Sequence, residues 1–364
     1  SGLPGAWQRC PTPSLYWPLA AISLLFLWCF PQWRRLWIPC IAPVALLVWL
    51  SYGWAPAERS AGGASAAWWR PALGQRVIPQ ALRLTFLDVG QGDSIVVRFP
   101  DSRAWLIDAG GTWQAHRWEQ NGSAFDVGES VVSRYLWWDW TTRLDRLILS
   151  HPHEDHAGGM PAILRNFAVG RLENGENQAD ADLVELLKAA RGRRVSRRVI
   201  RAGNEEVAGE VRIRTLHPPG DETRRTQNEN SVVLHISFRR FKALLPGDLE
   251  KLGERELVDG PWDIGSHLLK VAHHGSRYAT LDPLLKRVRP RWAVISSGRN
   301  NPFGYPSRDT ISRLLHHGAR PLLTQDLGAI TFETDGCHYT LAAHAGGVLE
   351  SGLLPEMGAI PPAK

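Results

Sequence analysis

Ser150–Gly159 reads SHPHEDHAGG and follows a short apolar run, Arg146–Leu149 (RLIL). Three histidines and an aspartate, His151, His153, Asp155 and His156, fall within six consecutive positions. Neutral imidazole and carboxylate are the donors that hold Zn²⁺ or Mn²⁺. A loop at a strand end can turn such closely spaced side chains toward one point, and the following Gly158-Gly159 allows close backbone approach. A merely polar surface loop has no need of four potential ligands at this spacing. Glu154 falls between them and is expected to point away.

Further ligands are expected at other strand ends. Asp248 in LLPGD lies just past an apolar run, and His273 and His274 in KVAHHGS end another. Asp108 in LIDAGG ends a third and suits orienting a ligand rather than binding metal. Each alone is bland: a turn aspartate, or histidines with ordinary hydrogen bonds. The signal is their repetition at the ends of successive strands.

Around these motifs, strand-like stretches run at 82–87, 94–99, 104–107, 146–149, 211–216, 232–238, 243–245, 268–272 and 293–296. Helices are predicted over Val127–Trp138 and from Gly158 to Arg165. Several strands precede the first helix, and strands later alternate with helices. That order suits an α/β protein built as an αββα sandwich better than a doubly wound sheet.

The first 56 residues are a different polypeptide. Leu15–Phe30 and Leu36–Trp54 carry no charge, and each is close to the ~20 residues that cross a bilayer core. Trp17, Trp33, Trp37, Trp49 and Trp54 sit near their ends, where amphipathic rings favour the interface. Residues 1–56 thus predict a transmembrane helical hairpin. Residues 57–77 read as a small-residue linker, 78–345 as the globular domain, and 346–364 as a flexible Gly/Pro-rich tail. The start at Ser1 suggests a C-terminal piece of a larger membrane protein. Arg34 and Arg35 in the hairpin turn, if cytoplasmic, put the globular domain on the far side of the membrane.

The four cysteines (Cys10, Cys29, Cys40, Cys337) show no paired spacing, which argues against a disulfide framework or a cysteine zinc knuckle. The formal charge of +6 makes an anionic partner plausible without choosing among nucleic acid, lipid headgroups and phosphorylated small molecules. Arg191, Arg193, Arg194, Arg197, Arg198 and Arg201 form a dense basic run, followed by further arginines up to Arg240. Arginine at this density suits phosphate-backbone contact, with Arg193, Arg194, Arg197 and Arg198 as candidate DNA-binding residues. The alternative is a solvated or membrane-facing surface. Trp113, Trp118, Trp137, Trp138 and Trp140 could stack on bases, though core or interface packing is the commoner use.

Taken together, HxHxDH, the upstream DAGG, the downstream GD and the later HHGS resemble the metallo-β-lactamase superfamily in its usual order. Within it, LDVGQGDS (Leu87–Ser94), NENSVVL (Asn228–Leu234), LLPGDLE, LLKVAHHGS and SSGRNNPFGYPS (Ser296–Ser307) resemble the C-terminal domain of ComEC-type DNA-uptake proteins, over roughly residues 82–335. The resemblance implies two divalent metal ions, Mn²⁺ or Zn²⁺. One would take His151, His153 and Asp248; the other Asp155, His156, the shared Asp248 and a histidine of the HHGS pair, assigned to His273. His217 (TLHPPGD) is a possible extra ligand of the first ion or an ordinary structural histidine. Asp88, Asp93 and Asp108 would support the ligands. Tyr305 stands where the family commonly has histidine.

Two cations ~3.5–4 Å apart can hold a bridging hydroxide and stabilise a leaving oxygen. Asp155 could then accept a proton, and His274, Asn230 or Ser231 could donate to the developing oxyanion. The resemblance implies a nuclease domain of an inner-membrane DNA importer serving natural transformation. Its partners would be DNA, single-stranded by expectation, the membrane, the rest of the channel and other DNA-uptake proteins. The domain would lie on the periplasmic or extracellular side. A non-catalytic DNA-guiding module, and a hydrolase of a small phosphodiester or ester, are the competing readings.

Overall fold

The computed structural model describes residues 80–111, 125–177, 180–220 and 226–357. The expected hairpin (1–56), the linker (57–77), Trp113 and Trp118 lie outside the described residues. Among those described, no helix is long and apolar enough to cross a membrane.

Alternation along the strands builds the core. In β1 (Leu82–Phe86), Leu82, Leu84 and Phe86 face one side and are fully buried, as the two-residue period of a strand requires. β2 (Ile95–Arg98) and β3 (Ala104–Ile107) extend the sheet antiparallel. β4 (Arg143–Leu144) pairs with β6 (Ala168–Val169) in a small separate ladder. β5 (Arg146–Leu149), β7 (Arg171–Asn174) and β8 (Ser196–Val199) continue the large sheet parallel to β3.

A second sheet begins with the antiparallel strands β9 (Glu205–Ala208), β10 (Val211–His217), β11 (Val233–Phe238) and β12 (Phe241–Leu245). β13 (Leu268–Lys270), β14 (Trp292–Ile295) and β15 (Arg320–Leu323) follow parallel to β12. β16 (Ile330–Thr334), β17 (His338–Ala343) and β18 (Gly347–Leu353) return to the first sheet, with β16 against β1. Its order among the described residues is β18-β17-β16-β1-β2-β3-β5-β7-β8; the second runs β15-β14-β13-β12-β11-β10-β9.

Leu84, Phe86, Val97 and Phe332 from the first sheet meet Ile236, Phe241, Leu268 and Trp292 from the second in one apolar layer. Burying each such side chain contributes roughly 1.5–3 kcal/mol. The outer face of the first sheet packs Leu106, Leu147 and Leu149 against Leu136, Ile163 and Leu186 of its helices. The second sheet does likewise with Leu244, Leu269 and Ile295 against Leu257, Leu284 and Leu314. The result is the four-layered αββα arrangement.

Two departures from the sequence reading are instructive. The helix over 127–138 opens with a widened turn, Gly128–Ser133, before Arg134–Trp138. Gly128 sits so close to the backbone of Gly159 that a Cβ there would lie 2.1 Å from its carbonyl oxygen. The other departure corrects the flexible tail: residues 347–353 form β18, paired with β17. Its Glu350 accepts from Tyr339, Trp292, Arg291 and Arg320, and Leu354 is buried. An exposed edge strand shows no apolar alternation, so its composition resembles a tail.

Candidate metal centre

The site lies where strands of both sheets end. β3 delivers Asp108, β5 delivers Ser150 and His151, β12 leads to Asp248, and β13 leads to His273 and His274. Helix Glu154–Ala157 follows the histidine loop and carries Asp155 and His156. Two glycines make this packing possible. A Cβ on Gly92 would lie 2.2 Å from the Asp155 carbonyl oxygen, and one on Gly111 would lie 1.8 Å from that of Glu154. LDVGQGDS and DAGG are thereby pressed against the ligand helix.

Asp248, wholly buried, is the hub. Its Oδ2 lies 3.3 Å from His156 Nε2, 3.2 Å from His274 Nε2, 3.9 Å from His273 Nε2 and 4.0 Å from His151 Nε2. Asp155 Oδ2 lies 3.2 Å from His274 Nε2. Asp155, His156, Asp248 and His274 thus place one donor atom each within 4.8 Å of one another. Beside them, His151 Nε2 and His153 Nδ1 approach to 3.0 Å.

The tautomers follow from the second partners. His156 Nδ1 donates to Asp108 Oδ2 at 2.8 Å, and His274 Nδ1 donates to the Ser296 carbonyl at 2.9 Å. Acceptors on Nδ1 leave Nε2 of both rings as the ligand atom. Both Nε2 atoms are buried, face carboxylate oxygens at 3.2–3.3 Å and lack a well-aligned hydrogen bond. Buried polar atoms without such a bond cost free energy, so the donor set fits a divalent cation.

The electrostatics divide the cluster. Burial works against a charged His274, but Asp248 and Asp155 outweigh it and push the ring up to about 9. Burial likewise opposes charge on His156, and Asp248, Asp155 and Asp108 together raise it well above the usual range. A cation entering here replaces protons. Burial lowers both His151 and His153, keeping them neutral.

Several sequence-derived assignments change. His274, expected to be an oxyanion donor, is in the ligand cluster. His273, expected as the ligand, sits farther out, with Nδ1 2.8 Å from Glu250 and its ring edge-on to Tyr305 at 5.5 Å. Both adopt left-handed backbone (φ 47° and 52°), a conformation non-glycine residues seldom take. The turn aims the two rings in different directions, which spacing alone does not reveal. His217 is buried with Nδ1 donating to the Ser231 carbonyl at 2.9 Å and Nε2 3.4 Å from Glu256. With its nitrogens so engaged, it does not join the cluster.

Ser231 is fully buried and its Oγ accepts from the Asp248 backbone N–H at 3.2 Å, so it holds Asp248 in place. Asn230 is buried in the short Asn228–Asn230 turn beside it. Asp93 and Asp108 lie 3.8 and 2.8 Å from His156 Nδ1, whereas Asp88 caps its own turn through Gly90 N–H.

Lys270 is a functional candidate absent from the sequence-derived set. Its side chain is 1% exposed; Nζ pairs with Asp93, lies 3.5 Å from Asp248 Oδ1 and donates to the Gly247 carbonyl at 3.2 Å. Burial opposes its charge, yet Asp93 and Asp248 raise it above the usual lysine range. A lysine inside the apolar strand LLK, three positions before the histidine pair, is the signal the sequence offers.

The candidate DNA-contacting arginines are all exposed. Arg193 and Arg194 follow helix Ala181–Gly192, and Arg197 and Arg198 lie on β8 at the edge of the first sheet. Arg197 is partly occupied by Asn174.

Comparison with known proteins agrees with the fold. The metallo-beta-lactamase superfamily model matches residues 87–299. ComE operon protein 3 of Bacillus subtilis (strain 168) is 32% identical over 250 residues, 68% of this chain and 32% of the relative. Recombination protein 2 of Haemophilus influenzae is 31% identical over 63% of this chain and 26% of the relative. Competence protein ComA of Neisseria gonorrhoeae is 30% identical over 68% and 32%. The chain spans about a third or less of the length of these curated relatives. It belongs to the metallo-beta-lactamase superfamily and, within it, is of the ComEC type.

Proposed function

We propose that the domain is a metal-dependent nuclease of a membrane DNA-uptake protein. The observation that carries the metal reading is the pair of buried Nε2 atoms, on His156 and His274, turned to Asp155 and Asp248. In this reading Asp155, His156, His274 and Asp248 hold one cation. His151 and His153 hold a second, sharing Asp248. Bound divalent ions supply Lewis-acid polarisation of a phosphoryl oxygen and an acidified water. Asp155, the more exposed carboxylate of the cluster, is placed to pass protons toward solvent. Asp108, Ser150 and Ser296 hold the rings in their tautomers.

DNA as substrate is supported by the competence relatives and by the exposed arginines after Gly192 and along β8. Residues 1–56 would anchor the domain to the cell membrane, with the domain on the non-cytoplasmic side, next to the rest of the channel. The test is incubation of the chain with labelled single- and double-stranded DNA, with and without Mn²⁺ or Zn²⁺. Metal-dependent cleavage absent from an Asp155→Ala, His156→Ala double variant is expected. The second reading, a DNA-guiding module, is favoured by His217 standing outside the cluster. It predicts salt-sensitive DNA binding without cleavage under every metal.

A further inference from the structure

We propose that Lys270 is a fixed cation of the metal centre: it commits one oxygen of Asp248, so that one metal ion is held tightly at Asp155, His156 and His274 and a second only weakly at His151 and His153. The inference rests on the metal reading above.

Among the described residues, Asp248 is the carboxylate that the two positions share. Its Oδ1 faces Lys270 Nζ at 3.5 Å, and its Oδ2 faces His156 and His274 at 3.3 and 3.2 Å. Lys270 is itself immobilised, since Nζ also pairs with Asp93 and donates to the Gly247 carbonyl. This ion pair ties the LDVGQGDS turn of the first sheet to β13 of the second. Offering a separate oxygen to each ion would therefore set the second ion beside the Lys270 ammonium or break a buried pair, and breaking such a pair is strongly destabilising.

The two positions differ in what remains. An ion beside His156 and His274 has Asp155 as a second carboxylate. An ion at His151 and His153 has two imidazoles and the shared Asp248, while Asp155, which also acts on both rings through space, is engaged at the other position. His217, the remaining candidate donor for that position, is held by the Ser231 carbonyl and Glu256. The ammonium behind Asp248 further lowers the attraction for a second dication.

The test uses the full chain in detergent, stripped with a chelator and titrated with Mn²⁺, with free Mn²⁺ read from its electron paramagnetic resonance signal. One equivalent is expected to bind at least about tenfold more tightly than the second. His153→Ala should keep the tight equivalent and lose the weak one. Lys270→Met frees Asp248 Oδ1, and the paired Lys270→Met, Asp93→Asn variant does so without leaving Asp93 buried and charged. Both should bring the two affinities to within about threefold of each other, with melting curves reporting that the variants are folded. Two equal equivalents in the parent chain, or an unchanged gap in folded Lys270 variants, would overturn the role of Lys270 and leave the metallohydrolase reading standing. A parent chain that binds no Mn²⁺ would overturn both.

Discussion

His156 donates Nδ1–H to Asp108 Oδ2 at 2.8 Å, and that hydrogen bond decides which nitrogen faces Asp248. Asp108 itself is held by the N–H and Oγ of Ser150, at 2.7 and 2.6 Å. It sits at φ 57°, a conformation asparagine tolerates. Asp108→Asn should therefore fold but lose the charge that steadies the imidazole. The expected result is a loss of roughly 10–100-fold in metal affinity, read by metal titration. Unchanged affinity would show that Asp108 only braces the backbone.

Glu254 gives a pH prediction away from the metal centre. It is buried beneath the start of helix Asp282–Val288, where its carboxylate accepts from the N–H groups of Thr280 and Leu281. Burial raises it from 4.5 to about 8, partly offset by those two hydrogen bonds. A group whose folded value is raised contributes in full below its unfolded value and loses that contribution as pH rises through the folded value. Stability should accordingly fall between about 4.5 and about 8. Glu254→Gln removes this titration, so its melting temperature should drop less across that window than the parent's. Parallel curves would contradict the assignment.

The arginine edge makes a separate prediction about binding. Arg193→Ser with Arg198→Ser should weaken single-stranded DNA binding evenly across sequences. It should also lessen the log–log salt slope by roughly 1.4, about 0.7 for each phosphate that is no longer neutralised. The measurement is affinity by fluorescence anisotropy at several salt concentrations. An unaltered slope would mean that these arginines form a solvated face or meet another partner.

How far the sequence alone can carry this site follows from how each residue is placed. Close spacing and a strand end bring His151, His153, Asp155 and His156 together, since a short loop has few ways to separate them. Asp248 is legible from its place just past an apolar strand. The choice between His273 and His274 is not, because it depends on two successive left-handed residues and on Ser296, which belongs to the end of a different strand. His217 resembles a ligand by its interval in the chain, yet its partners come from Ser231 and Glu256. Lys270 is hidden because its acceptors lie in motifs more than twenty residues away along the chain. The αββα order is readable from alternation in β1 and from the short apolar runs of β3 and β5. β8 is masked by exposed arginines, and β18 by its exposed, non-alternating surface.

If the proposed function holds, metal in this cluster drives cleavage of DNA. The decisive experiment strips metal from the full chain and returns Mn²⁺ stepwise, reading bound metal and cleavage of a labelled single-stranded oligonucleotide in the same samples. Cleavage should rise with occupancy and be absent from Asp248→Asn at every metal level. Full occupancy without cleavage of any nucleic acid, or cleavage that persists after the metal is removed, would contradict it.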